Sequence, residues 1–181
     1  MLKKSFQMPL ILVGIMFVVF LIDVIIPGDL SWLGIRPRSF SGLFGILLSP
    51  FLHANIFHLL SNAVPLVVMG AMLNAIDQRL YLYRTFLLVV GSGLLTWLIS
   101  SSGVVIGASG LAFAYWAYLI VNGVRTRKIK DIIISILTII IYGTLLISLF
   151  RHSPGVSWAG HFSGAMAGGL LAWYAQPKSS A

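Results

Sequence analysis

The sequence predicts an all-α membrane protein, a bundle of six transmembrane helices, and two observations support this fold class. Hydrophobic residues make up 59% of the 181-residue chain, charged residues make up 9%, and the mean hydropathy is +0.99. A soluble domain carries about 25% charged residues. A chain this apolar cannot bury its side chains in one core and still present a polar surface to water.

The second observation is that the apolar residues fall into six runs, and a helix needs roughly 20 apolar residues to cross a bilayer core. The runs, numbered here as spans one to six, cover about 8–27, 55–73, 83–100, 104–123, 131–150 and 158–175. They are continuous rather than alternating, which favours helices over the strands of a barrel. They fill most of the chain, so we expect a single membrane domain over 1–181.

The basic residues predict the orientation of these spans. If the spans alternate in direction, nine basic residues fall on one side of the membrane: Lys3, Lys4, Arg79, Arg84, Arg125, Arg127, Lys128, Lys130 and Lys178. Arg36, Arg38 and Arg151 fall on the other. The positive-inside rule then puts both termini in the cytoplasm. We expect the protein to lie in a bacterial inner membrane or another plasma membrane. Because topology explains the net charge of +8, we expect no nucleic-acid partner.

Span one resembles a signal peptide in that Lys3 and Lys4 precede an apolar run, but the run is too long and no small-residue cleavage site follows. We therefore expect a retained span. The chain has no cysteine, which excludes disulfides, thiolate metal ligands and a cysteine nucleophile.

The longest connection, residues 28–54 between spans one and two, is too apolar for a solvated loop. It carries Trp32, Phe40, Phe44 and Phe51 among glycine, serine and proline. Aromatic side chains prefer the headgroup region, so we expect this loop to lie in the outer membrane interface, against lipid.

Unusual polar residues occur near the predicted outer ends of spans two, four and six. His58 and Asn62 are four residues apart and share a helix face. Ser109 follows Gly107, and His161 opens span six. Each has a structural explanation when taken singly: a serine bonds its own helix backbone, and a histidine or asparagine can join helices by hydrogen bonds. Their common depth favours a shared functional site.

The chemistry that fits this set is acyl transfer. A serine needs a neighbouring base, and His161 can accept the Ser109 proton and later deliver it to a leaving amine. His58, the Asn62 amide and the Ser109 backbone N–H can stabilise an oxyanion. Gly164 and Gly168 form a small-residue pair that predicts close packing of span six against span four.

Other protease chemistries fit the composition poorly. The chain has no glutamate, which excludes an HExxH zinc site, and we expect no metal or cofactor. Its four aspartates, Asp23, Asp29, Asp77 and Asp131, lie at or outside span ends, so an aspartyl dyad is not expected. The serine mechanism is then a dyad; Asp23, near the outer end of span one, is a minor candidate for a third member.

Three motifs in order resemble the rhomboid family of intramembrane serine proteases. His53 with His58-Leu-Leu-Ser-Asn62 resembles its HxxxxHxxxN segment, and Gly107-Ala108-Ser109-Gly110 resembles its GxSG box. The run from Gly160-His161 to Gly168 resembles its histidine helix. The order of six spans also matches, so the resemblance covers essentially the whole chain.

The resemblance implies a nucleophile at Ser109, a base at His161 and oxyanion donors at His58 and Asn62. It also places His53 in the outer cavity. Phe113 stands where a tyrosine often stacks on the catalytic histidine, and Phe44-Gly45 stand where the family often carries a Trp-Arg pair.

The function implied is endoproteolysis of transmembrane protein substrates near the outer membrane face. Span five, with Tyr142-Gly143 midway, is a plausible substrate gate in family terms. Two alternatives stay open. One is an inactive rhomboid-like protein that binds membrane clients, although such relatives typically lose the serine or histidine. The other is a small transporter or channel, which would be expected to carry mid-span charges or an internal repeat.

Overall fold

The computed structural model describes residues 2–101, 103–149 and 157–174, and these residues fold into helices joined by short connections. The α-helices are α1 (Leu2–Ile25), α2 (Gly45–Leu48), α3 (Ile56–Ile76), α4 (Tyr81–Ile99), α5 (Ser109–Thr126), α6 (Ile129–Tyr142), α7 (Thr144–Ser148) and α8 (Trp158–Tyr174). Short 3-10 turns lie at Leu30–Leu33, Ser41–Leu43, Ser49–Phe51 and Gln78–Leu80. The predicted all-α class is confirmed, and every predicted span contains a helix.

Three helical stretches are long and apolar enough to cross a bilayer: Lys4–Ile25, Ile56–Ile76 and Gln78–Ile99. They correspond to spans one, two and three. The helices of spans four, five and six pack beside them, and the count of six crossings stays a prediction.

Three predicted spans differ from the helices observed. Span one was predicted from residue 8, but α1 begins at Leu2, because the helix continues beyond its apolar run. Span four was predicted from residue 104, but α5 begins at Ser109, because Gly107 has a φ of +105° that no regular helix contains. Val105 instead forms an isolated antiparallel bridge with Ile35. Span five was predicted as one run, but α6 ends at Tyr142 and α7 begins after Gly143, since glycine weakens a helix interior. The last residue of span five and that of span six lie outside the described residues.

Helix α5 is the centre of the bundle. It packs against α3, α4, α6 and α8, and eleven of its residues are buried. Buried hydroxyl groups tie it to α4: Tyr115 Oη lies 3.2 Å from Tyr81 Oη and 2.8 Å from Thr85 Oγ1. Lipid provides no hydrophobic force between helices, so packing and hydrogen bonds of this kind hold a membrane bundle together.

The contact between α5 and α8 joins backbone to backbone. A Cβ atom on Gly164 would collide with the carbonyl oxygen of Gly110, and one on Gly168 would collide with that of Ala114. The close approach predicted from this glycine pair is therefore confirmed. It positions the first turn of α8, with His161, against the first turn of α5.

The long connection between α1 and α3 folds back on itself and keeps an apolar surface. Gly45 packs against the Gly34 backbone so tightly that a Cβ would overlap it. Trp32, Phe40 and Phe44 are 60%, 82% and 68% exposed. These aromatic side chains therefore lie on the surface of the protein and not in its core.

Candidate active site

One cavity collects the polar residues singled out by the sequence. It has a volume of about 510 Å³ and lies where the N-terminal ends of α3, α5 and α8 meet. His58 and Asn62 line it from α3, Ser109 and Phe113 from α5, and His161 from α8. Leu145 and Ser148 of α7 complete the wall beside His161.

Ser109 is the first residue of α5, and the preceding turn presents it to the cavity. The turn depends on Gly107, whose positive φ favours glycine, and whose N–H donates to the Ser49 carbonyl at 2.9 Å. The first backbone N–H groups of a helix have no acceptor within the helix. The end of α5 at Ser109 therefore offers N–H donors and a positive dipole end beside the hydroxyl.

His58 lies directly over Gly107. Its backbone N–H is capped by Asn55 Oδ1 at 2.9 Å, which fixes the start of α3. A Cβ on Gly107 would lie 2.6 Å from both Cε1 and Nε2 of the imidazole. Only glycine at this position leaves room for the ring, and the absence of a side chain brings His58 against the turn that holds Ser109.

Asn62 lies one helical turn after His58 and is buried. Its Nδ2 donates to the His58 carbonyl at 2.8 Å. An amide nitrogen carries two hydrogens, so this bond orients the side chain and leaves a second donor for the cavity.

His161 is buried in the first turn of α8 and stacks on Phe113. The ring centroids are 4.2 Å apart and the planes are inclined by 22°. The stacking expected at Phe113 is thus confirmed. No hydrogen bond joins Ser109 to His161 within the described part of the chain; such bonds often form only when substrate binds.

His53 lies outside this cavity. Its Nε2 accepts a hydrogen bond from the Ala108 N–H at 3.4 Å, and its ring packs edge-on against His58 with centroids 5.0 Å apart. Burial, reinforced by neighbouring His58, lowers the pKa of His53 to about 4, so the ring is neutral near pH 7. It lines a neighbouring cavity of about 450 Å³ that also contains Asp23 and Asp29. His53, predicted to line the outer cavity, therefore lines this second cavity and not the one that contains Ser109.

Ser148 and Ser49 contribute to the site without any signal in the sequence. Ser148 reaches the cavity only because α7 follows a break at Gly143, and it lies in an apolar run without any motif. Ser49 contributes a backbone carbonyl to Gly107, which no side-chain pattern reveals.

The fold and the composition together define an integral membrane protein built of packed helices, with a polar cavity at one end of the bundle. The sequence model of the Rhomboid domain matches residues 41–178, a stretch that contains Ser109, His161, His58 and Asn62. The chain belongs to the rhomboid family.

Its relatives include mycobacterial proteins. An uncharacterized protein of Mycobacterium tuberculosis is 38% identical over 170 residues, covering 89% of this chain and 71% of its own length. An uncharacterized protein of Mycobacterium leprae is 34% identical over 169 residues, covering 88% of this chain and 67% of its own.

Proposed function

We propose that the protein is an intramembrane serine endopeptidase that cleaves transmembrane protein substrates near the outer membrane face. The observation that carries this proposal is the single cavity shared by Ser109, His161, His58 and Asn62. These are a nucleophile, a base and two donors delivered by three helices. Membership of the rhomboid family, whose fold is that of intramembrane proteases, supports the assignment.

The reaction is an acyl transfer in two stages. His161 takes the Ser109 hydroxyl proton as Oγ attacks the scissile carbonyl carbon, and the resulting imidazolium gives that proton to the leaving amine. The acyl-enzyme is then hydrolysed by water, with His161 acting as base again and Ser109 recovering its proton.

The negative charge on the tetrahedral oxygen needs fixed donors. Ser109, His58 and Asn62 line the same cavity, and the donors would be the Ser109 backbone N–H, the His58 imidazole and the second N–H of the Asn62 amide. Donors placed in advance stabilise the developing charge without reorganisation, and losing one typically costs about 10²–10³ in rate. The stacked Phe113 ring keeps the imidazole plane in position without a carboxylate.

The proposed setting is a six-span protein with both termini in the cytoplasm of a bacterial cell. The distribution of basic residues supports the orientation, and the three longest apolar helices support membrane insertion. The exposed aromatic side chains of Trp32, Phe40 and Phe44 suit a loop in the outer interface, and this supports a cavity near the outer face. A substrate helix must unwind locally there, because an intact helix shields its carbonyls.

A fluorophosphonate probe tests the proposal in detergent-solubilised protein. We expect covalent labelling of Ser109, no labelling in Ser109→Ala, and a steep loss in His161→Ala. Ser61→Ala is the matched control, because Ser61 lines the same cavity and its hydroxyl donates to the His58 carbonyl; its labelling should persist. A folded wild type that neither reacts nor cleaves a model transmembrane substrate would favour the client-binding alternative.

A further inference from the structure

The connection between α1 and α3 contains a clamp on the end of α4. The Arg38 guanidinium donates from Nη1 to the carbonyls of Leu98 at 3.0 Å and Ser100 at 2.6 Å, and from Nη2 to that of Ser101 at 3.2 Å. The last carbonyls of a helix have no partner within the helix and carry the negative end of its dipole. A forked cation is suited to gather several of them at once.

A second pair of bonds runs beside the guanidinium. The Trp97 indole N–H donates to the Ser39 carbonyl at 2.9 Å, and the Arg38 backbone N–H donates to the Trp97 carbonyl at 3.1 Å. Arg38 adopts a φ of +52°, uncommon for a residue with a side chain. The surrounding contacts therefore stabilise a backbone conformation that Arg38 would rarely adopt in a free loop.

We name residues 34–45, the stretch that contains Arg38, the anchor loop, and residues 103–109 the nucleophile segment. The anchor loop also pairs with the nucleophile segment. Ile35 and Val105 exchange two backbone hydrogen bonds, each of 2.9 Å. Four residues later the segment reaches Ser109. Beside this pairing, a Cβ on Gly34 would lie 2.7 Å from the Val105 carbonyl oxygen, so the two stretches touch through their backbones.

Phe44 and Gly45, which stand where the family often carries its Trp-Arg pair, make no such clamp. Phe44 is mostly exposed, and Gly45 packs against Gly34 within the anchor loop itself. In this chain the bonds between the anchor loop and the end of α4 come from Arg38 and Trp97.

We propose that Arg38, supported by Trp97, is a positioning residue for the reaction: it holds the anchor loop on α4, and the loop in turn holds Ser109 at its place in the cavity. The proposal rests on the proteolytic function proposed above. The bundle core lies elsewhere, around α5 and α8, and the Arg38 side chain is exposed. Removal of the guanidinium should therefore leave the helices folded while the nucleophile segment shifts.

The test compares turnover of a model transmembrane substrate and the fluorophosphonate labelling rate in variants of the full chain. A displacement of about 1 Å at the reacting atoms can cost on the order of 10²-fold in rate. We expect Arg38→Ala to lose about 10- to 100-fold in kcat and in labelling, with KM changed less than about twofold. Arg38→Lys should be intermediate, because an ammonium group cannot reproduce the fork. Arg36→Ala is the matched control: Arg36 is an exposed loop cation whose side chain makes no hydrogen bond within the described residues.

A crosslink separates positioning from general destabilisation. Because the chain has no cysteine, Ile35→Cys with Val105→Cys can form one defined disulfide. Directly paired residues of this kind have Cα atoms about 5.5 Å apart, within the range that a disulfide bridges. In the Arg38→Ala background, oxidation should restore most of the lost kcat, and reduction should remove it again.

Wild-type activity is the reference, so its absence would count against the proposed function and not against the clamp. With an active wild type, full kcat in folded Arg38→Ala would overturn the inference. A loss that follows only the amount of folded protein, measured by thermal melting in detergent, would overturn it too. Should Arg38→Ala fail to fold, the same comparison is made per folded molecule in Arg38→Lys and its crosslinked form.

Discussion

Replacing Gly107 by alanine tests the placement of His58 directly. The added Cβ would lie 2.6 Å from Cε1 and Nε2 of the imidazole, closer than real Cβ contacts come, so the ring must move away from the nucleophile segment. The backbone must also keep a φ of +105°, which costs a residue with a side chain roughly 1–3 kcal/mol. Two effects are therefore expected, one on stability and one on the transition state.

The size of the second effect follows from the role proposed for His58. Loss of one oxyanion donor costs about 10²–10³ in kcat, equivalent to roughly 3–4 kcal/mol. In Gly107→Ala the His58 side chain is still present, but its displaced imidazole can no longer donate to the oxyanion. Cleavage of a model transmembrane substrate and thermal melting in detergent measure the two effects separately.

Gly103→Ala provides the matched control. Gly103 lies in the same nucleophile segment with a φ of +81°, but a Cβ there meets nothing within 4 Å. It should lose a similar amount of stability and keep its kcat within about threefold. Equal turnover in Gly107→Ala and wild type would refute the reasoning, and equal loss in both variants would show that backbone strain alone disturbs the site.

Three further predictions concern other parts of the site. Gly164→Ala should destabilise by about 3 kcal/mol or more, since the carbonyl of Gly110 blocks a Cβ, whereas Gly169→Ala meets an ordinary contact and should melt near or above wild type. Asn62→Ala should lower kcat on the order of 10²-fold while the melting point moves little; unchanged turnover would reduce Asn62 to a structural role. His53 has a pKa of about 4, below its ordinary 6.5, so its contribution to stability is present above pH 6.5 and is lost as the pH falls toward 4. Melting points from pH 7.5 to 4.5 should therefore fall more in wild type than in His53→Gln, and parallel curves would exclude this.

The helices were predictable because their signal is local. Apolar runs of bilayer length mark α1, α3 and α4 directly. The start of α5 was not predictable in this way, because it depends on Gly107 adopting a positive φ and on Val105 pairing with Ile35, a partner far away in sequence. The break after Tyr142 was also missed, since a single glycine in an apolar run does not specify whether the helix continues.

In the candidate site, too, some residues could be predicted from the sequence and the contacts that position them could not. Polar side chains in apolar helices are costly and therefore visible, which is why Ser109, His161 and Asn62 stood out. The contacts that hold them are made largely by backbone atoms, such as the Ser49 carbonyl, and leave no pattern in the sequence. Arg38 was seen only as a charge on the outer side, because its acceptors are carbonyls about sixty residues further along the chain.

The burial of α5 divides the molecule into regions of different local stability. Eleven of its residues are buried and four helices surround it, whereas α6 buries four residues. Amide hydrogens exchange when a segment opens locally, so densely packed helices exchange slowest. In detergent, the amides of α5 beyond its first turn should outlast those of α6. Ser109 thus leads directly into the helix that we expect to exchange more slowly, whereas Leu145 and Ser148, which line the cavity beside it, follow α6.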